Sequence, residues 1–153
     1  NDMCGGVSEG KKFKAVQLGG PSGGCLPADK LDAPLDYENL KELGTIMGSG
    51  GVIVLSNGKS ALDIAKFFME FCSSESCGKC IPCREGTKQI LKILTRLCEG
   101  NGKKEDIELL QDLAKVIQNT ALCALGQTAA NPVLSTIRYF RNEYEDAVNN
   151  GNM

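Results

Sequence analysis

Three cysteines stand at even three-residue steps in Glu75-Ser76-Cys77-Gly78-Lys79-Cys80-Ile81-Pro82-Cys83-Arg84-Glu85-Gly86. A turn with that spacing can aim three thiolates at one point. A cubane iron–sulfur cluster asks for this: three irons each take one thiolate, and the fourth takes a ligand from elsewhere in the chain. Zinc sites more often use two Cys-x-x-Cys knuckles, each giving two ligands. Here there is one triple and no second pair, so the spacing favours iron–sulfur ligation by Cys77, Cys80 and Cys83 over a structural zinc. Gly78 and Gly86 suit tight turns around a bulky cofactor, and Pro82 fixes the approach to Cys83. Arg84 reads equally as a residue tuning the cluster by charge or hydrogen bond and as a solvated helix-start residue. Cys77-Gly78-Lys79-Cys80 also has the form of a thiol–disulfide motif, but no strand leads into it as a thioredoxin-like setting requires.

The remaining cysteines divide by context. Cys123, in Thr120-Ala121-Leu122-Cys123-Ala124-Leu125-Gly126, lies in a link between two helical patterns and is the leading candidate for a fourth ligand. Spacing alone leaves it open between that role and a small buried hydrophobe. Cys72 and Cys98 fall on helix faces and read as packing residues. Cys4 and Cys25 lie in a glycine-rich stretch far from the triple. The chain has no histidine, which removes the commonest general base and metal ligand together. Any metal must be held by sulfur or carboxylate. Eight cysteines in 153 residues are too sparse for a small disulfide scaffold. With no export signal, clustered cysteines read as metal ligands in a reducing compartment.

The elements that must position these cysteines change character near residue 60. Residues 1–58 are rich in glycine and turn residues. Strands are expected at 13–18 and 51–55, a short helix at 36–43, and turns at 19–24 and 48–51. Neither glycine run matches a dinucleotide fingerprint or a P-loop. Two strands are few for a stable sheet, so the unit reads as incomplete. From 60 onward the pattern is helical. Ser60 caps the first helix with Asp63 three residues on. Its apolar residues, Leu62, Ala65, Phe68 and Met69 with Ile64, Phe67 and Phe71 beside them, predict burial around much of its circumference. A second helix is expected over 84–98, closed by Gly100-Asn101-Gly102, with Cys98 on its apolar stripe. A third spans 104–119. A fourth opens at Asn131-Pro132, a cap and an N1 proline, and carries Val133, Leu134, Ile137, Phe140 and Tyr144 on one stripe. Four amphipathic helices with short links predict an antiparallel bundle.

Net charge is −2, which leaves no nucleic-acid footprint. No apolar run approaches the roughly 18–20 residues needed to span a bilayer. The opening Asn1-Asp2-Met3-Cys4 reads as a fragment or a processed chain.

The double cysteine motif, the triple followed by Leu122-Cys123-Ala124-Leu125-Gly126, resembles the C-terminal region of the flavin-containing subunit of NADH:quinone oxidoreductase (respiratory complex I). The same region occurs in NAD-linked hydrogenases and formate dehydrogenases. Gly19-Gly20-Pro21-Ser22-Gly23-Gly24 and Gly48-Ser49-Gly50-Gly51-Val52-Ile53-Val54 are similar to that family's β-grasp segment. The stretch from Cys123 to Ser135 leans toward the hydrogenase-linked branch. The resemblance implies a [4Fe–4S] cluster on Cys77, Cys80, Cys83 and Cys123. It implies an α+β fold, with a partial soluble ligand-binding β-grasp segment over 1–58 and a cluster-carrying helical bundle over 59–153. FMN and NAD sites belong to an upstream domain whose glycine-rich signature is absent here. Implied partners are the other components of a multi-subunit oxidoreductase, including a [2Fe–2S] ferredoxin-like subunit. The expected location is cytoplasmic, with any membrane association peripheral and through a complex.

The function expected from all this is a one-electron relay with no residue acting as acid, base or nucleophile, and no NADH oxidation by this chain alone. Two rivals come from other classes: a zinc module that only staples loops, and an adaptor that docks a partner without a redox role.

Overall fold

A computed structural model describes residue 7 and residues 10–150. Cys4 lies outside the described residues. The first half forms a three-stranded antiparallel sheet of β1 (Phe13–Leu18), β2 (Gly24–Pro27) and β3 (Val52–Ser56), in the order β2-β1-β3. Val16 is paired with Leu26 on one side and Val54 on the other. Strand β2 is not among the expected strands; only its first residue, Gly24, falls in an expected element, the turn at 19–24. Its Gly24 and Pro27 are weak strand formers, but it lies on a sheet edge, where a terminal proline costs no ladder bond. Thr45 pins the β1–β2 hairpin from a neighbouring loop. Its buried hydroxyl accepts from Gly24 N at 2.7 Å and lies within bonding distance of Leu18 O. Helix α1 (Tyr37–Glu42) starts where Asp36 accepts a hydrogen bond from Asn39 N at 2.8 Å.

The second half is helical: α2 (Ala61–Ser74), α3 (Ile81–Cys98), α4 (Asp106–Thr120), α5 (Ala124–Thr128), α6 (Asn131–Tyr139) and α7 (Arg141–Asn150). Ser60 and Asp63 form the expected reciprocal cap on α2. Helix α3 closes on the expected glycine: Gly100 N bonds Leu97 O and Asn101 N bonds Arg96 O, the double bond pattern of a Schellman end. Arg96 and buried Asp106 then pair across the α3–α4 link, and Lys103 N donates to the same carboxylate at 2.8 Å. A large apolar core runs through α2, α3, α4, α6 and α7, with Met69, Ile90, Leu94, Leu110, Ile117, Ile137 and Tyr144 among its fully buried members. A smaller cluster of Val16, Leu18, Leu26 and Leu40 sits under the sheet.

Four expectations need correction. The fourth helix is broken at Phe140, whose backbone (φ −131°, ψ 35°) leaves the helix between α6 and α7. The apolar stripe crosses the break without a gap because Tyr144 folds back to hydrogen-bond Thr136 at 2.8 Å. Asn131 is not a cap: Ala130 precedes α6, and the Asn131 amide instead bonds Gln118 and Ser22 O. Phe67 and Phe71 on α2 are 65% and 44% exposed, so α2 has one buried face rather than a buried circumference. Cys98 is exposed although it follows the α3 stripe.

Polar contacts tie the sheet to the helices. Cys25 N donates to Ser135 Oγ at 2.9 Å, and Tyr139 Oη to Leu43 O at 3.0 Å. Glu143 on α7 pairs with Lys14 on β1 at 2.7 Å and accepts from Ala61 N at the start of α2, also at 2.7 Å. Among the described residues no helix is long and apolar enough to cross a membrane.

Candidate metal centre

Helix α2 ends at Ser74, and the chain then runs through a short segment of polar and glycine residues before α3. Gly78 takes φ +73°, a conformation that side chains rarely adopt. Arg84 holds this turn by donating from Nη1 to Gly78 O at 3.0 Å, and its Nε pairs with Glu85 at 2.9 Å. Arg84 thus clamps the backbone of the loop between Cys77 and Cys80, a role that neither of its two sequence readings named.

Helix α3 begins at Ile81, three residues earlier than the pattern predicts. Pro82 falls in the first helical turn, where a missing N–H has no partner to lose. This start puts Cys80 at the N-cap and Cys83 one turn on, an i, i+3 pair on one helix face. Backbone N–H groups of Leu122 foremost, and of Cys83 and Cys80 itself, hold the Cys80 thiol below its ordinary pKa, with the Arg84 charge adding a smaller push. A thiol at a helix N-terminus is favoured as thiolate on the same grounds.

The Leu122 amide belongs to the segment carrying Cys123. Cys123 is the N-cap of α5 and is exposed. Within α5, Gly126 lies against Cys83. A Cβ there would fall 2.5 Å from Ala121 Cβ, 3.3 Å from Cys83 Cβ and 3.6 Å from Cys83 Sγ. Only glycine lets α5 approach so closely. The α4–α5 link thus rests on the first turn of α3. Cys83 is 5% exposed. Its sulfur is 3.2 Å from Ser76 Oγ, and its carbonyl accepts from Thr87 Oγ1 at 2.7 Å. Cys77 sits in the intervening loop, exposed.

The structure therefore brings Cys80 and Cys83 onto one turn, with the Cys123 segment against them and Cys77 in the adjoining loop. Among the described residues no group of three or more cysteine, aspartate or glutamate side chains is gathered to hold a metal ion. The donor set and its surroundings fit an iron–sulfur group. They offer thiols without histidine, backbone N–H groups directed at sulfur, and a glycine cradle against Cys83. Sequence reasoning missed Ser76, α5 and the Leu122 amide. Ser76 stands directly before Cys77, but nothing in the sequence shows that it reaches forward to Cys83.

The other cysteines are packed differently. Cys72 on α2 is fully buried. Burial pushes its thiol up to about 11, with Cys83 adding to the shift. Cys25 is also fully buried. Its thiol is pushed up to about 12 by burial, against the pull of Lys14.

Residues 63–147 match the model of a protein family, the NADH-ubiquinone oxidoreductase-F iron-sulfur binding region. The chain belongs to this family. The NADP-reducing hydrogenase subunit HndC of Solidesulfovibrio fructosivorans is 50% identical over 144 residues, covering 94% of this chain and 29% of that protein. The F-subunit of the NADH-quinone oxidoreductase of Mycobacterium bovis is 41% identical over 150 residues, covering 98% of this chain and 34% of that protein. Among solved structures, a chain of the NAD+-reducing [NiFe]-hydrogenase in its H2-reduced state superposes with a TM-score of 0.80 at 33% identity. That match covers 90% of this chain and 23% of that one. The chain thus spans between about a quarter and a third of the relatives it matches. An iron–sulfur binding region shared by NADH-quinone oxidoreductases and hydrogenases is where the double cysteine motif pointed.

Proposed function

We propose that Cys77, Cys80, Cys83 and Cys123 hold a [4Fe–4S] cluster and that this chain is a one-electron relay module of a flavin- and NAD-dependent oxidoreductase subunit. The observation that carries this reading is the contact of the Cys123 segment with the Cys80–Cys83 turn, through Gly126 and the Leu122 amide. When bound, such a cluster supplies reversible one-electron chemistry at sulfur-ligated iron. The chain's own residues do the rest. Arg84 fixes the Gly78 turn. The positive end of α3 favours negative charge at Cys80 and Cys83. Burial of Cys83 keeps water from its sulfur.

In this reading residues 59–153 are a cluster-carrying helical bundle and residues 1–58 a partial β-grasp unit. FMN and NAD bind in parts of the longer relatives outside this chain. The partners are the other components of the same complex, among them a [2Fe–2S] ferredoxin-like subunit, in the cytoplasm or at a membrane surface through that complex. Anaerobic reconstitution followed by iron and acid-labile sulfide analysis, with the visible spectrum, tests the proposal. Iron and sulfide in equal amounts with broad visible absorption are expected. Stoichiometric zinc with no sulfide would replace the relay by a structural staple.

A further inference from the structure

Ser76 carries an inference that rests on the ligand reading above and goes beyond it. Its Oγ lies 3.2 Å from Cys83 Sγ. The same oxygen accepts the Gly78 N–H at 3.4 Å. A metal-bound thiolate has no proton to give, so the hydroxyl proton is the one available to this contact, and with Cys83 ligating the direction is fixed. The Gly78 amide occupies the oxygen as an acceptor and leaves the hydroxyl hydrogen for sulfur. Cys83 is nearly fully buried, where a hydrogen bond to a charged group is not diluted by water. Gly78 is in turn held by Arg84 through its carbonyl. The chain Arg84–Gly78–Ser76–Cys83 therefore links the turn between two ligands to the sulfur of a third.

We infer that Ser76 is a positioning residue that donates to the Cys83 sulfur and raises the reduction potential of the site. A donor to a ligating sulfur stabilises negative charge there. The reduced form carries one more negative charge than the oxidised form, so it gains more from the bond.

The test uses this chain, reconstituted, as wild type, Ser76→Ala and Ser76→Thr. Iron and sulfide content are read first, and the midpoint potential is then read by redox titration followed by electron paramagnetic resonance. The expected result is full loading of all three, a more negative midpoint for Ser76→Ala, and a midpoint near wild type for Ser76→Thr. Loading of Ser76→Thr alone, with its midpoint kept, also supports the role, because the hydroxyl is then what the site needs. A fully loaded Ser76→Ala with an unchanged midpoint overturns the inference. So do equal shifts in both variants, or failure of both to load, since bulk rather than the hydroxyl would then decide. A wild-type chain that takes up no iron and sulfide overturns the ligand reading itself, which separates the two failures.

Discussion

Cys83 and Cys72 are both buried thiols of one apolar cluster, close enough for the charge of one to act on the other, yet their polar contacts differ. Around Cys83 stand a serine hydroxyl, a glycine cradle and a loop bearing another cysteine. Cys72 lies on the core face of α2, and its sulfur has only a weak 3.9 Å contact to Pro21 O. Burial alone therefore does not mark a ligand. What separates the two is that a serine hydroxyl and the glycine of a cysteine-bearing segment lie against Cys83, while Cys72 has only the Pro21 carbonyl. Burial holds Cys72 as a neutral thiol.

The largest expected effect tests that contrast directly. Replacing Cys83, Cys80, Cys77 or Cys123 by Ser should abolish or greatly deplete bound iron after anaerobic reconstitution. Cys72→Ala should leave iron content near that of the wild type. Iron loss in Cys72→Ala with the helical signal intact would erase the distinction.

A second variant separates core from centre. Asp106→Ala strands Arg96 and removes the acceptor of Lys103 N. Breaking a buried pair costs about 3–5 kcal/mol, and Arg96 is partly solvated, so about 2–4 kcal/mol of unfolding free energy is expected to be lost. Denaturant unfolding measures this. Iron uptake below the transition should not change, because the pair lies at the far end of α3 from Cys80 and Cys83.

Gly126→Ala should cost less, about 1–3 kcal/mol, as an overpacked contact. Its iron content should fall relative to wild type, because α5 must move off Cys83. A normal iron content would mean that the close approach is not needed for ligation.

The smallest effect is a pH dependence of the metal-free chain. Cys25 and Cys72 are pushed up to about 12 and about 11 in the folded state, from an ordinary value of 9.0. Between pH 9 and 11 the unfolded chain binds fewer protons than the folded one at these groups, so stability falls as pH rises through that window. Their contribution is fully present below pH 9. Urea midpoints at pH 8, 9.5 and 10.5 check the sign. Cys72→Ala should flatten part of the slope.

Much of this was legible in the sequence where local chemistry decides structure. The Ser60–Asp63 cap, the glycine stop after α3 and the short helix behind Asp36 all follow from nearest-neighbour hydrogen bonding. The reading failed where a distant contact overruled a local signal. Strand β2 exists because β1 pairs with it, not because Gly24-Cys25-Leu26-Pro27 favours extension. The break at Phe140 has no proline or glycine to announce it, and a three-to-four spacing continues across it. Helix α3 starts three residues before the expected Arg84, because Pro82 is a legal member of a first turn. At the centre, the cysteines were visible as a pattern. Ser76 and the Leu122 amide were not, because their role depends on the α4–α5 link lying against α3.

Redox titration of the reconstituted chain, followed by electron paramagnetic resonance, tests the central claim most directly. Dithionite should bleach the visible absorption and give about one unpaired electron per chain, as for a single cubane reduced by one electron. NADH should do neither, with or without added FMN, because a hydride delivers two electrons together and a flavin site must stand between. A chain that carries zinc and gives no signal with dithionite would contradict the account. So would a chain that binds flavin stoichiometrically and is reduced by NADH.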